Sequence, residues 1–171
     1  MVTDLVQIRM LGEKKRDENF RFRRFMKSHD HSDRILRRIG EGIEEQIDCT
    51  QCANCCKVAT APVADRDVER LAKHLRISRE AFLTEYTEED KEGIDGARRL
   101  LRRTAEGCVF LDGNLCSIYE ERPDTCRRFP HIVRGQGSIA SRMWQFVDRA
   151  TYCPIVYNSL EAFKQELGFK R

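Results

Sequence analysis

The segment Cys49-Thr50-Gln51-Cys52-Ala53-Asn54-Cys55-Cys56 puts four thiols into eight residues. Packing does not explain such a density. The spacing C-x2-C-x2-C-C presents soft ligands from one short piece of backbone, as a thiophilic metal requires. The other four cysteines, Cys108, Cys116, Cys126 and Cys153, all lie downstream, so all eight can converge on one region. If residues 49–56 are helical, Cys49, Cys52 and Cys56 share a face and Cys55 points about 100° away. If they form an irregular loop, Cys49, Cys52 and Cys55 can wrap one cluster and leave Cys56 to reach elsewhere. Either way the adjacent pair suggests two neighbouring centres, or one centre with a reserve thiol.

Structural disulfides are the weaker reading. Eight cysteines in 171 residues fall below the roughly 8–10% of a disulfide scaffold. A chain this long buries a core without staples. The histidines add little: His131 lies five residues beyond Cys126, while His29, His31 and His74 sit in charged helical contexts.

Mean hydropathy is −0.60, and no apolar run approaches the roughly 18 residues of a membrane span. The charged run Glu13 to Glu18 leaves no room for a secretory h-region, so the expected location is the cytoplasm. The 31 basic residues barely exceed the 28 acidic ones, and a net charge of +3 gives no global reason to expect nucleic acid.

Residues 1–19 read as a charged entry segment, frayed or loosely docked. Phe20, Phe22, Phe25 and Met26 then alternate with Arg21, Arg23, Arg24 and Lys27, as in a helix with an aromatic core face; a basic–aromatic surface for RNA or a partner is the other reading. Ile35, Leu36, Ile39, Ile43 and Ile47 trace an amphipathic helix with Asp33 at its start and a kink allowed at Gly40 and Gly42. That helix leads into Cys49. Pro62 to Asp65 is a turn, followed by a helix with Val68, Leu71, Ala72 and Leu75 on one face. Ser78 caps a second helix carrying Phe82, Leu83 and Tyr86. Thr87 to Gly93 is a solvated break, and Arg98, Arg99, Arg102 and Arg103 would share one face of a further helix, a solvated charged face or, in the other reading, one that holds phosphate or an acidic partner.

From Gly107 the pattern favours strands. Cys108 to Leu111 and Leu115 to Tyr119 flank the turn Asp112-Gly113-Asn114, giving a hairpin with Cys108 and Cys116 on its arms. Pro123 opens one helical turn holding Cys126. Residues 131–147 suggest another hairpin, and Gly135-x-Gly137-x-x-Ala140 is a glycine turn rather than a dinucleotide loop, since no βαβ unit surrounds it. A last helix spans about Ser159 to Leu167, with Asn158 and Glu161 as a capping box and Gly168 as its stop.

The combination Cys49-x2-Cys52-x2-Cys55-Cys56, Cys108-Val-Phe-Leu, Cys116-Ser-Ile-Tyr-Glu-Glu-Arg-Pro-Asp-Thr-Cys126-Arg-Arg-Phe-Pro and Cys153-Pro resembles the CxxCxxCC (YkgJ-type) cysteine-cluster family over about residues 48–155. Such proteins are described as zinc- or iron-chelating or as carrying an iron–sulfur cluster. The resemblance implies that all eight cysteines are cluster cysteines, with Arg122, Pro123, Arg127 and Pro130 as framework. Arg122 and Arg127 then either offset the charge of a thiolate-bound cluster or are simply ion-paired. The family often has glycine where this chain has Ala53, so a loop needing positive φ there would strain the alanine. Flagellin lysine N-methylases look like larger relatives, but no S-adenosylmethionine-binding fold or C-x3-C-x2-C spacing accompanies the cluster here.

The expectation is therefore an α+β fold: one small, mostly helical domain (1–171) with one or two short β-hairpins around a cysteine-ligated metal centre. Within it, residues 1–48 form an N-terminal helical arm, 49–156 the metal-binding core and 157–171 a C-terminal helix. The expected cofactor is an iron–sulfur cluster, [4Fe-4S], in a redox or cluster-dependent modification role with a protein or electron-transfer partner and no membrane. The alternatives are Zn2+ holding a partner-binding module, and a metal-handling protein. No catalytic nucleophile stands out.

Overall fold

The computed structural model describes residues 1–28, 33–91, 93 and 99–170. Its helices are α1 (Leu5–Lys14), α2 (Arg16–Ser28), α3 (Asp33–Glu44), α4 (Cys49–Cys52), α5 (Asn54–Val58), α6 (Asp65–Leu75), α7 (Arg79–Tyr86), α8 (Asp124–Arg128), α9 (Ile139–Arg149) and α10 (Pro154–Glu166). The strands are β1 (Thr87–Glu89), β2 (Arg99–Leu101), β3 (Arg103–Thr104), β4 (Gly107–Cys108), β5 (Leu111–Asp112) and β6 (Leu115–Cys116). They form three antiparallel pairs, β1–β2, β3–β4 and β5–β6. This is an α+β, mostly helical chain. Among the described residues no helix is long and apolar enough to cross a membrane.

Two compact units divide the chain: residues 1–48 with 129–171, and residues 49–128. The first is helical. Ile8, Gly12, Lys15, Asn19, Phe22 and Met26 recur at three- and four-residue steps straight through the α1–α2 junction, so the stripe faces one core. Residues 1–19 are thus not a frayed lead-in. Ile8, Phe22, Leu36, Met143, Phe146, Leu160 and Phe163 are fully buried together, each contributing about 1.5–3 kcal/mol. Phe22 meets Phe163 edge-on with centroids 5.7 Å apart. The polar members of the stripe are satisfied by α10. Buried Lys164 donates to Glu18 (2.5 Å) and Asn19 (2.9 Å), and it ion-pairs with Glu161, which also takes Lys15. Charges this deep need such partners.

Helix α3 runs unbroken over Gly40 and Gly42 and stops at Glu44, so it does not deliver Cys49 directly. Gly40 is required by close packing, because a Cβ there would run into Ile132. Asp33 begins α3, but its carboxylate accepts from Ile139 N (3.1 Å) and so caps α9. The hairpin expected over 131–147 is a loop followed by α9. Ile139, Met143, Phe146, Val147 and Ala150 repeat with helical period and are buried, and Ser138 caps the helix through Ser141 N (3.2 Å). Gly135 and Gly137 belong to the loop before it. The last helix starts five residues earlier than its capping box suggests, with Pro154 at its first position. Asn158 instead bonds the Val2 backbone in both directions (2.9 and 2.7 Å). Gly168, at φ 60°, ends α10 as expected.

In the second unit α6 and α7 appear as the periodicity dictates. Val68, Leu71, Ala72 and Phe82 are buried, and Ser78 accepts from Ala81 N (3.1 Å). Phe82, Tyr86 and Phe110 stack in series at 5.6 and 5.0 Å. The solvated break after Tyr86 is strand β1, paired with β2 in the register Thr87↔Leu101 to Glu89↔Arg99. Arg99 and Arg103 therefore lie on strands, with Arg102 between them, rather than along a helix face. Leu100 and Leu101 supply buried positions that make pairing better than a charged helix. Arg98, His29 and His31 lie outside the described residues.

Candidate metal centre

The first four cysteines sit on two short helical turns broken at one residue. Ala53 adopts the left-handed conformation (φ 47°, ψ 12°), ending α4 and restarting the chain as α5. The segment is neither of the two expected shapes: it is helical on both sides of a break that resets its phase. The alanine occupies the positive-φ position where glycine costs least, so the strain foreseen for a family-type loop is present.

The downstream cysteines arrive on two small hairpins in tandem, not on the two arms of one. β3 pairs with β4, placing Arg103 opposite Cys108, and β5 pairs with β6, placing Leu111 opposite Cys116. Gly113 and Asn114 form the turn between β5 and β6, as the sequence predicts. Gly107 (φ 137°) makes the approach possible, since a Cβ there would stand 2.7 Å from the Cys56 carbonyl oxygen. Lys57 Nζ donates to Asn114 Oδ1 (2.5 Å) and Asn114 Nδ2 to the Gln51 carbonyl (2.9 Å), tying the hairpin tip to the first motif. Cys126 lies on α8, the single turn that follows Pro123.

These elements bring four thiols into mutual electrostatic reach. Cys126 feels Cys108, Cys56 and Cys116; Cys108 feels Cys56 and Cys116; Cys116 feels Cys56. Every pair of the four interacts. Burial pushes Cys126 strongly upward and raises Cys108 and Cys116, with the neighbouring sulfurs adding to each. Cys56 moves the other way, down to about 7, because Cys55 hydrogen-bonds it and Arg122, Arg103 and Lys57 surround it. The Cys55 and Cys56 sulfurs are 4.0 Å apart. Cys49 and Cys52 stand on α4, while Cys153 is buried in the helical unit as the residue before α10. As placed, no three His, Cys, Asp or Glu side chains among the described residues could hold a metal ion.

The positive field has identifiable sources. Arg122 Nη1 donates to the Tyr119 carbonyl (2.8 Å), and its guanidinium lies 3.7 Å over the Tyr119 ring, leaving its charge to act on Cys56, Cys116 and Cys126. Arg127 is instead structural, donating to the Arg122 and Glu120 carbonyls (3.0 and 2.6 Å) and pairing with Glu121 (3.6 Å). Arg103 and Lys57 escape a motif-based reading. Arg103 donates to the Ala59 and Lys57 carbonyls (both 2.5 Å), locking α5 beside β3. Its place five residues before Cys108, across a two-residue turn, was the available signal. His74 is exposed on α6, and His131 lies in the helical unit at φ 70°.

This donor set, sulfur with a surrounding of guanidinium and ammonium, suits a thiophilic cation. Cys56, Cys108, Cys116 and Cys126 are the residues that would hold it: burial favours the protonated thiol at three of them, and a bound cation would take the place of those protons. Among curated proteins and among solved structures, none matches the chain. Residues 48–154 match the CxxCxxCC family, a domain provisionally described as zinc- or iron-chelating. That match takes in more than half of the chain and every one of its cysteines: the chain belongs to the CxxCxxCC family.

Proposed function

We propose that residues 49–128 carry an iron–sulfur cluster, of the [4Fe-4S] type, on Cys56, Cys108, Cys116 and Cys126, and that the protein is a cytoplasmic redox protein. The observation that carries this reading is the mutual coupling of those four thiols beneath three cations. A single tetrahedral ion with metal–sulfur bonds of about 2.3 Å needs sulfurs only about 3.8 Å apart. A multi-iron cluster instead spreads its thiolates over several metal atoms, and a thiol-only ligand set suits it. Such a cluster supplies one-electron transfer when bound, for a partner protein or a cluster-dependent modification. Arg122, Arg103 and Lys57 would offset its negative charge, and Gly107 keeps β4 close to Cys56. Cys49, Cys52 and Cys55 remain as a second thiol set on the same two turns.

The test is iron, zinc and acid-labile sulfide per chain on protein purified without oxygen, for the natural sequence and for Cys108→Ser and Cys126→Ser. Iron with matching sulfide, lost in both variants, is expected. Stoichiometric zinc without sulfide would sink the cluster and leave a structural zinc module.

A further inference from the structure

The cations and exposed rings of α2 and α9 play no part in the cysteine chemistry. Phe20 is 38% exposed and Trp144 47% exposed, unusual for rings on a unit with an aromatic core. Gly12 packs on the backbone of Ala150 and Thr151, and Arg16 meets Asp148 at 3.5 Å. Contacts that climb from α1 into α2 therefore descend α9, so the two helices run antiparallel. One more turn along each places Phe20 and Trp144 beside the same seam.

From Phe20, residues Arg23, Arg24 and Lys27 follow at i+3, i+4 and i+7, so the ring and three cations share one helix face. Arg24 and Lys27 are exposed and Arg23 half-buried, with its Nε unbonded. Among the described residues none of the three has a carboxylate within ion-pair distance. Glu13 and Asp17 lie exposed between the apolar tips Val6 and Met10 and this face, interrupting the continuous apolar stripe an interfacial membrane helix needs. What remains is a row of positive charge beside two partly exposed aromatic rings. We infer that the α2–α9 seam binds single-stranded nucleic acid, with backbone phosphates on Arg23, Arg24 and Lys27 and bases stacked on Phe20 and Trp144. The small net charge of the whole chain does not oppose this, because the phosphates meet the local row.

The test uses the full chain with fluorescein-labelled oligouridylate and oligothymidylate, read by anisotropy and by emission of the sole tryptophan, Trp144. Saturable binding that quenches Trp144 is expected. Its log–log salt slope should be about −2, from three phosphate contacts at about −0.7 each. Phe20→Ala and Trp144→Ala should each weaken binding about fivefold or more, Trp144→Phe should retain it, and Arg24→Gln with Lys27→Gln should flatten the slope by about 1.4. Far-UV circular dichroism of each variant verifies folding. Binding to both oligonucleotides, or to one sugar type only, supports the inference. No saturable binding at low salt, affinity indifferent to both ring substitutions, or binding to phosphatidylserine vesicles alone overturns it.

Discussion

Gly107→Ala tests the joint that brings the second half of the site to the first. Two costs add at this position. An L-residue at φ 137° enters a region that is nearly glycine-only, at about 1–3 kcal/mol. Its Cβ would also stand 2.7 Å from the Cys56 oxygen and 2.9 Å from the Lys57 Cα. Backbone cannot rotate aside as a side chain can, so overpacking adds about 1–3 kcal/mol more. The sum is about 4 kcal/mol. Gly113→Ala is the control, also at positive φ (59°) but with nothing within 4 Å of its Cβ, so only about 1 kcal/mol of left-handed strain applies. The measurement is native-state hydrogen exchange of the Leu101 and Val109 amides, which bond the Ala61 and Arg102 carbonyls at 2.9 Å within the same unit. Protection should fall about a hundredfold further in Gly107→Ala than in Gly113→Ala, with metal content lost alongside. Equal protection in the two variants would show that close approach to Cys56 is not what the glycine provides.

Three further outcomes follow from the packing and the charges. Phe22→Ala should cost about 3–5 kcal/mol, read as a lower denaturant midpoint by Trp144 fluorescence, since both residues lie in the helical unit. Ser78→Ala removes the bond to Ala81 N (3.1 Å) and should cost about 1 kcal/mol, measured by circular dichroism in urea. Burial raises the Glu44 carboxyl despite its bond to Arg134 (2.6 Å), so the fold holds that proton to higher pH than the unfolded chain does. The stability this contributes is present below the ordinary value of 4.5 and is lost as pH rises through the folded one. Glu44→Gln, measured against the natural sequence by denaturant midpoints, should therefore gain relative stability as pH rises through that range; a relative loss would refute the sign.

Helices α6 and α7 were legible because their apolar residues repeat locally and Ser78 marks a start. The α1–α2 stripe was legible only at its end, where Phe22 and Met26 form the expected core face, because Gly12, Lys15 and Asn19 occupy inward positions that no hydrophobic pattern reveals. Their partners, Ala150, Glu161 and Lys164, come from the other end of the chain. The loop glycines and the β-formers Ile132 and Val133 mimicked a hairpin ahead of α9, whose true signal was Ser138 followed by Ile139, Met143 and Phe146. Strand β1 was hidden for a related reason: Thr87, Glu88 and Glu89 are polar, and their pairing with Arg99–Leu101 is decided by tertiary contact. In the site, the spacing named the thiols and the hairpin turn at Gly113. It did not say which thiols meet, because that depends on the backbone at a single residue between them.

That residue is Ala53. In an unbroken helix Cys49, Cys52 and Cys56 would line one face, with Cys55 about 100° away. The left-handed turn at φ 47° ends this phase and starts another, so Cys56 joins Cys108, Cys116 and Cys126 while Cys49 and Cys52 stay on the preceding turn. Ala53→Gly would relieve about 1 kcal/mol of left-handed strain, lose about 0.8 kcal/mol of buried methyl, and cost about 0.4–1 kcal/mol through the freer unfolded chain. The net is a loss of about 0.2–0.8 kcal/mol, so glycine should lower stability only slightly. Ala53→Val loses more: a β-branched residue is far worse at positive φ, and Ala53 is only 4% exposed. Its cost should reach about 2–3 kcal/mol. The Lys57 amide, bonded to the Ala53 carbonyl at 3.1 Å, reports the turn directly by hydrogen exchange. Protection kept in Ala53→Gly and lost in Ala53→Val, with metal binding following the same order, would establish that one backbone angle sorts the thiols. Equal protection and equal metal content in the two variants would mean that the sorting resides in the hairpins alone.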